Sequence, residues 1–229
     1  MKKIILFTIF LCFFVSVCFS QKRQTPVKTA KPQSVQTPIV KEISDADWKI
    51  LTAASQSENW EKSALLASQY LQKIKTDNQK KQLAQLRYFY LYALAGKILK
   101  FSISKQTIEE SATWKELDEA VGSFVGKEFV LPPRRFLPDC KKVLNYICTV
   151  TDNEQALRVT ATNRAGTEIH SFDYVAFDEK MSLNEASAKE LFLGGRLRKA
   201  EFNQDLSKLW VMRLIFEKGF VSLVVKNDK

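Results

Sequence analysis

Few residues in this chain have the types and spacing that catalysis requires. His170 is the single histidine among 229 residues, and it alternates with Phe172 and Tyr174 in a pattern that is typical of a strand. A mononuclear metal site usually needs three or four protein ligands, and one histidine with scattered acids provides no recognisable set. We therefore predict a packed or surface strand residue at His170, with no metal and no cofactor.

Two pairs of acids could form the carboxylate dyad of a glycan hydrolase, Asp173 with Asp178 and Glu109 with Glu110. Such an enzyme places two carboxyl groups on either side of the bond it cleaves. Pairs of this kind arise by chance in a chain with 25 acids, and they are usually solvated. The sequence also lacks the nucleophile, zinc-protease and phosphate-binding motifs of common enzymes. We expect a protein that is not an enzyme, with an envelope hydrolase as an alternative.

Two short clusters of basic residues are better candidates for a ligand-binding site. One cluster follows two prolines and the other follows two glycines; together they comprise Arg134, Arg135, Arg196, Arg198 and Lys199. These side chains could hold a glycan or another anionic polymer. Alternatively they pair with acids, because residues 105–229 contain 19 basic and 19 acidic residues.

The net charge of +10 does not by itself indicate nucleic-acid binding, because the charge is unevenly distributed. Residues 21–41 contain five basic residues and no acid, whereas residues 105–229 are neutral overall. A nucleic-acid-binding domain usually has a basic face of its own. We therefore expect no nucleic-acid partner.

The first twenty residues have the three parts of a secretory signal peptide. Lys2 and Lys3 precede an apolar run over residues 4–19, and the small residue Ser20 marks the expected cleavage site. We predict a periplasmic or secreted mature protein without a membrane span. A lipoprotein acylated at Cys18 and an uncleaved anchor are the alternatives. The branched residue before Cys18 disfavours the first, and the apolar run is short for a span of roughly 20 residues.

Two cysteines remain in the mature chain, Cys140 and Cys148. An even pair in an oxidising compartment is a disulfide candidate. Closing so short a loop would stabilise the fold by about 2–3 kcal/mol if the geometry is unstrained. The alternative is a pair of buried free thiols that pack as small hydrophobic groups.

The pattern of the chain divides it into four parts. Residues 1–20 are the signal peptide, and residues 21–43, which contain three prolines among polar and basic residues, are predicted to be a disordered linker. Residues 44–125 show helical periodicity, and residues 126–229 change to the period of two that indicates strands. The fold class is therefore α+β.

Capping and breaking signals place four helices in residues 44–125. Ser44 and Asp47 form a capping box, and a second helix runs from Trp60 to residue 74. A third helix starts after Thr76 and ends near Gly96, and a fourth is capped by Thr113. The order Trp60, Ala64, Ala67 and Tyr70-Leu71, followed by a second amphipathic helix, resembles a tetratricopeptide-type hairpin over residues 46–100.

That resemblance implies a module for protein–protein contact. Stacked repeats of this type normally need about three copies to bury a continuous core, and this chain has one. We therefore expect the hairpin to pack on the C-terminal domain.

The C-terminal pattern predicts several short strands and one helix. The predicted strands are 127–131, 144–150, 157–161, 167–177, 196–203, 208–217 and 220–225, with a helix over 182–191. Gly194-Gly195 is predicted to stop that helix, and Lys218-Gly219 to form a tight turn. Three strands, a helix and two strands resemble an antiparallel OB-fold barrel, which binds ligands on its strand faces and loops. An open antiparallel sheet with a helix on one face is the competing architecture.

These observations favour an exported, non-catalytic binding or scaffold protein of the bacterial envelope that contacts another envelope protein. The alternative is an OB-like module that binds a glycan or an anionic polymer.

Overall fold

The computed structural model describes residues 43–74, 80–137, 146–150, 155–179, 189–206 and 210–224. These residues belong to one compact unit, Val40–Lys229. Within them, four helices precede seven strands, which confirms the α+β class. The predicted signal peptide and residues 21–42 of the predicted linker lie outside the described residues, whereas Ile43, the last residue of that linker, is buried against the helices.

Four helices form the N-terminal half of the unit. They are α1 (Asp45–Gln56), α2 (Trp60–Lys73), α3 (Lys80–Ile103) and α4 (Thr107–Phe124). The predicted cap of α1 is confirmed, because the Asp47 amide donates to the Ser44 hydroxyl at 3.1 Å and that hydroxyl donates to the Asp47 carboxylate at 2.8 Å. None of the helices in the described ranges combines the length and apolar character needed to cross a membrane.

Two predicted helix boundaries are wrong. Helix α3 continues through Gly96, because this glycine makes room for a neighbouring ring: a Cβ there would overlap the Trp60 indole. Helix α4 begins at Thr107 rather than Thr113. The buried Thr113 hydroxyl instead donates to the Glu109 carbonyl at 2.7 Å within the helix. The predicted cap at Thr76 lies outside the described residues.

The seven strands form one mostly antiparallel open sheet. They are β1 (Glu128–Val130), β2 (Arg134–Arg135), β3 (Ile147–Thr149), β4 (Ala156–Thr162), β5 (Ile169–Ala176), β6 (Glu190–Phe202) and β7 (Trp210–Leu223). The order is β1-β6-β7-β5-β4-β3, and β2 also pairs with β6. The β5–β7 pairing is parallel. A closed barrel is not seen among the described strands, although Phe136 makes a single bridge to Ile147.

Neither Gly194-Gly195 nor Lys218-Gly219 ends an element as predicted. Gly194 and Gly195 lie inside β6, and Lys218-Gly219 lies inside β7. A Cβ at Gly194 would overlap the Phe129 carbonyl and the Phe220 ring, and one at Gly219 would lie 2.5 Å from Val175. These glycines therefore permit close packing across the sheet. Most of the predicted helix 182–191 lies outside the described residues, and its last two residues belong to β6.

The helices and the sheet share one hydrophobic core. Helices α3 and α4 pack on one face of the sheet, with Leu94, Phe129 and Phe216 fully buried between them. A second, smaller core around Leu51 and Leu86 joins α1, α2 and α3. Within the predicted hairpin (residues 46–100), helix α3 therefore packs against the strands, as expected for a single copy, while α1 and α2 pack on α3.

Candidate binding cleft

A cleft of about 680 Å³ opens between the helices and one end of the sheet. Its walls are formed by helix α1 and the α1–α2 turn, helix α3, the segment leading into β2, and the end of β4 with the turn that follows it. Its volume falls in the range of roughly 300–1,000 Å³ that is typical of small-ligand sites. The side chains that matter most for its chemistry are Glu58, Trp60, Tyr88, Phe89, Tyr92 and Arg134.

Helix α3 supplies the aromatic wall. Tyr88 and Tyr92 are four residues apart and therefore share one helical face, where their rings stack at 6.4 Å. The Tyr92 hydroxyl donates to the Thr162 carbonyl at 2.7 Å and so joins the helix to the sheet. Trp60, the first residue of α2, packs edge-on against Tyr92 with ring centres 5.4 Å apart.

His170 lies beneath these rings because of a β-bulge. Ala161 pairs with Ser171 and Thr162 with Ile169, so His170 is an extra residue between two paired positions. A bulge re-aims a side chain, and here the imidazole lies 4.8 Å from Trp60 and 4.7 Å from Tyr92. Burial lowers the pKa of His170 to about 4. The prediction of a strand residue is confirmed, and the side chain is packed rather than on the surface.

A buried carboxylate lies under the same wall. The Tyr88 hydroxyl donates to Asp173 Oδ2 at 2.7 Å, and both side chains are buried. Burial raises the pKa of Asp173 to about 7, and the contributions of Tyr88, Ser171 and Arg134 lower it less. Among the described residues, Asp173 Oδ1 and Ser171 Oγ have no partner in hydrogen-bond geometry.

The surroundings of Asp173 are apolar and destabilise its ionised carboxylate. Its partners in the sheet are Val159 on β4 and Leu214 on β7, both apolar and buried. A buried acid without a paired cation costs folding free energy. Buried, unsatisfied and titration-shifted groups beside a cleft are characteristic of functional sites.

Arg134 provides a positive charge at the cleft wall. It is half-buried, and its Nη1 donates to the neighbouring Pro133 carbonyl at 3.0 Å. Within the described ranges it forms no salt bridge. Its charge lowers the pKa values of Tyr92 and Asp173, although burial acts more strongly on both and in the opposite direction. Arg134 is therefore available to an anion in the cleft.

The α1–α2 turn and the β4–β5 turn meet at the rim. The Glu58 carboxylate accepts a hydrogen bond from the Arg164 amide at 2.6 Å. Glu58 has a φ of 57°, which is uncommon for a residue other than glycine. The Arg164 side chain is exposed there.

The predicted basic set does not form one site. Arg134 pairs with Leu191 on β6, five residues from Arg196, which corresponds to about 16 Å along a strand. Arg135 is exposed next to the cleft residue, whereas Arg196 lies opposite Glu217 on β7. The structure thus brings Arg134 into the cleft and leaves the β6 cluster elsewhere.

The other two members of that cluster have their own surroundings. Arg198 is exposed at an irregularity in the β6–β7 pairing. Lys199 forms an ion pair with Glu201 at 2.7 Å, and Glu201 also contacts Arg213 at 3.1 Å. For Lys199 the pairing alternative is therefore observed.

The two acid pairs considered above do not span the cleft. Asp173 is buried, while Asp178 is exposed beyond the end of β5. Glu109 and Glu110 lie in the first turn of α4. In the part of the chain that the structure describes, no group of three or more potential metal ligands comes together.

Cys148 is disulfide-bonded. Its predicted partner, Cys140, lies outside the described residues, so the pairing of these two cysteines stays a prediction.

A scan against protein-family models, a search of curated proteins and a search of solved structures found no match to this chain. The cleft is therefore the feature from which a function can be inferred. The sequence pattern gives no sign of a cavity beside Trp60, Tyr88 and Tyr92, because aromatic residues on amphipathic helices usually pack in a core. Asp173 does have a signal in the sequence, because in a strand it shares one face with Ser171 and Val175, and the structure buries all three.

Proposed function

We propose that the protein is an exported, non-catalytic binding protein of the bacterial envelope, and that its cleft holds a segment of a partner protein. The observation that carries this proposal is the cleft itself, with an aromatic wall and the half-buried Arg134 guanidinium group, which forms no salt bridge with the described residues. Ligand sites are typically concave and mostly apolar, with a few polar groups that orient the ligand. An OB-like closure of the sheet stays a prediction and is not needed for this function.

The exposure of the rings favours a peptide over a glycan. Sugar recognition by stacking needs an open ring face, but Trp60 is 5% exposed and Tyr88 is 3% exposed. The Trp60 ring is already covered by Tyr92, His170 and the α3 backbone at Gly96. The accessible apolar surface is instead an irregular strip from the half-buried Phe89 and Tyr92. Such a strip suits an apolar side chain.

The rim supplies polar groups for the rest of a peptide. Thr52 and Gln56 line the cleft together with Arg134, whereas the Asn163 amide is already hydrogen-bonded within the β4–β5 turn. Hydroxyl and amide side chains can donate to and accept from a peptide backbone. We therefore expect a short segment with an apolar residue against Phe89 and its backbone along the rim.

The two alternatives have less support. An anionic polymer held by all five basic residues has less support because Lys199 is already ion-paired with Glu201 and Arg196 lies opposite Glu217. A hydrolase would need two carboxyl groups facing each other across a cleft, and the described part of this cleft presents one, on Glu58.

Site-specific photocrosslinking in the native envelope tests the proposal. A photoreactive phenylalanine derivative replaces Phe89 in the cleft, and the control replaces Leu65, which is 57% exposed on α2. We expect a protein adduct from position 89 that is absent from position 65. The absence of an adduct at 89, or the same adduct at both positions, would contradict the cleft as the binding site. Release of soluble fragments from purified envelope polymer by the protein would contradict the non-catalytic part.

A further inference from the structure

The polar cluster beneath the cleft is not explained by packing. A sheet face that is otherwise apolar carries Ser171 and Asp173 under helix α3, and both are buried. An apolar pair in place of Tyr88 and Asp173 would avoid the cost of burying an acid. The position of this cluster directly behind the cleft wall suggests that it acts on what binds there.

The elements packed around Asp173 contribute the following polar, titratable and apolar groups. Helix α3 contributes Tyr88, whose hydroxyl donates to the carboxylate, and β5 itself contributes Ser171 and the buried His170. Strands β4 and β7 contribute the apolar partners Val159 and Leu214.

From β2, the cation that acts on Asp173 is Arg134. Arg134 also lines the cleft. Tyr88 lines the same cleft, and its hydroxyl donates to the Asp173 carboxylate at 2.7 Å. The buried acid therefore lies one hydrogen bond behind the wall that Arg134 helps to form.

We propose that the cleft binds a carboxylate-bearing peptide segment at Arg134, and that Asp173 takes up a proton as the segment binds. This inference rests on the proposed function and adds the chemistry of the ligand. A carboxylate at Arg134 offsets the positive charge that stabilises ionised Asp173. The same linkage holds in reverse, because coupling between two binding events is reciprocal. Protonation of Asp173 removes a negative charge that would repel the incoming anion.

The sign of the pH dependence follows directly. Burial places the pKa of Asp173 at about 7, and a bound anion raises it further. The complex therefore holds a proton over a range of pH where the free protein has released it, and affinity falls as the pH rises through neutrality. Each unit by which the segment raises this pKa corresponds to about a tenfold loss of affinity.

Other titratable groups near the cleft would not make the affinity fall as the pH rises through neutrality. The pKa of His170 is lowered to about 4, and those of Tyr88 and Tyr92 are raised above the usual value for tyrosine. Burial and Glu58 raise the pKa of Glu168, but this side chain is not among those lining the cleft. Asp173 is therefore the group in the cluster that titrates near neutral pH.

Carbon-13 NMR of the Asp173 carboxyl group tests the coupling in the full mature chain. N-acetylphenylalanine is the acidic probe, and its neutral amide is the matched control. We expect a titration midpoint near neutrality that the acid raises and the amide leaves unchanged. In Arg134→Gln the midpoint should rise without any probe, and the acid should then have no effect. Arg134→Lys should restore the response, and Arg198→Gln should behave as the wild type.

Two outcomes of the NMR titration would overturn the inference. A midpoint that Arg134→Gln leaves unchanged removes Arg134 as the cation that acts on Asp173, and a midpoint insensitive to the acid removes the carboxylate ligand. Either outcome overturns the inference alone if Phe89 still gives its specific crosslink. If that crosslink is missing, the proposed function fails as well, whatever the NMR titration shows.

Discussion

Replacing the buried carboxylate gives a prediction with a calculable size. In Asp173→Asn the side chain keeps its shape, and the amide oxygen can still accept from the Tyr88 hydroxyl. The variant removes the one property that the apolar surroundings oppose, the negative charge. We therefore expect its stability to differ from that of the wild type in a pH-dependent way.

The magnitude follows from the pKa of Asp173. Burial raises this pKa from 3.8 to about 7, which corresponds to about 4 kcal/mol. Between these two values the folded protein keeps a proton that the unfolded chain releases. The wild-type carboxyl group therefore lowers the free energy of unfolding progressively as the pH rises from about 4 to about 7.

The effect of His170 on the free energy of unfolding has the opposite pH dependence and must be separated from that of Asp173. Its pKa falls from 6.5 to about 4 on folding, so the unfolded chain binds an extra proton between these values. The neutral imidazole thus increases stability as the pH rises from about 4 to about 6.5, by about 3 kcal/mol. The two groups nearly offset each other in the wild type, and the difference between variant and wild type isolates Asp173.

Urea unfolding at a series of pH values measures this difference. We expect Asp173→Asn to gain about 4 kcal/mol relative to the wild type between about pH 4 and pH 8. The control is Asp178→Asn, which removes an exposed carboxylate just beyond the same strand and should leave the wild-type pH profile in place. Parallel stability curves for Asp173→Asn and the wild type would refute the reasoning, because they would mean that Asp173 is not destabilised by burial.

Four further predictions concern packing, capping, the disulfide and export. Gly96→Ala should lower the free energy of unfolding by about 1–3 kcal/mol because its methyl group meets the clamped Trp60 ring. Gly122→Ala, in an open position on α4, should raise the free energy of unfolding by about 0.5–1 kcal/mol. Equal effects of the two substitutions in urea unfolding would contradict both of these predictions. Ser44→Ala should cost about 1 kcal/mol through loss of the α1 cap, and an unchanged unfolding midpoint would argue against that cap. Non-reducing peptide mapping should recover Cys140 linked to Cys148, and reduction should cost about 2–3 kcal/mol; a different linked pair would disprove this disulfide. Mass spectrometry of the exported protein should find Gln21 at the N-terminus, whereas a mass including residues 1–20 would indicate a retained anchor.

Local sequence signals predicted the helices well because helix formation depends on near neighbours. Ser44 caps α1, and the periodic apolar face from Trp60 gives α2, as observed. The ends of α3 and α4 were misplaced because Gly96 and Thr113 have roles that depend on tertiary contacts. A glycine that ends a helix and a glycine that admits an indole ring look the same in sequence.

The sheet was harder to predict because its pairing is non-local. The parallel β5–β7 contact inserts the last strand between β5 and β6, and no run of neighbouring residues encodes that order. Gly194 and Gly219 resemble turn residues until their cross-strand neighbours are known. An open sheet with helices on one face, which was the competing architecture, describes the observed strands better than the barrel.

The candidate site was predicted in part. Arg134 was selected as a basic residue after two prolines, and it does line the cleft. Its grouping with the β6 cluster followed from residue type alone, since nothing in the spacing reveals that the two lie far apart along β6. The sequence presents Asp173 as one member of an acid pair, whereas its role in the candidate site depends on its burial against α3.

The affinity of the crosslinked partner segment for three versions of the protein tests the central claim most directly. Once the segment is identified, its dissociation constant is measured for the wild type, Arg134→Gln and Arg198→Gln. A charge-assisted hydrogen bond contributes about 1.5–3 kcal/mol, so the account predicts that Arg134→Gln weakens binding by at least about tenfold and that Arg198→Gln binds as the wild type does. Loss of binding in Arg198→Gln with full binding in Arg134→Gln would contradict the account and place the site on the β6 cluster.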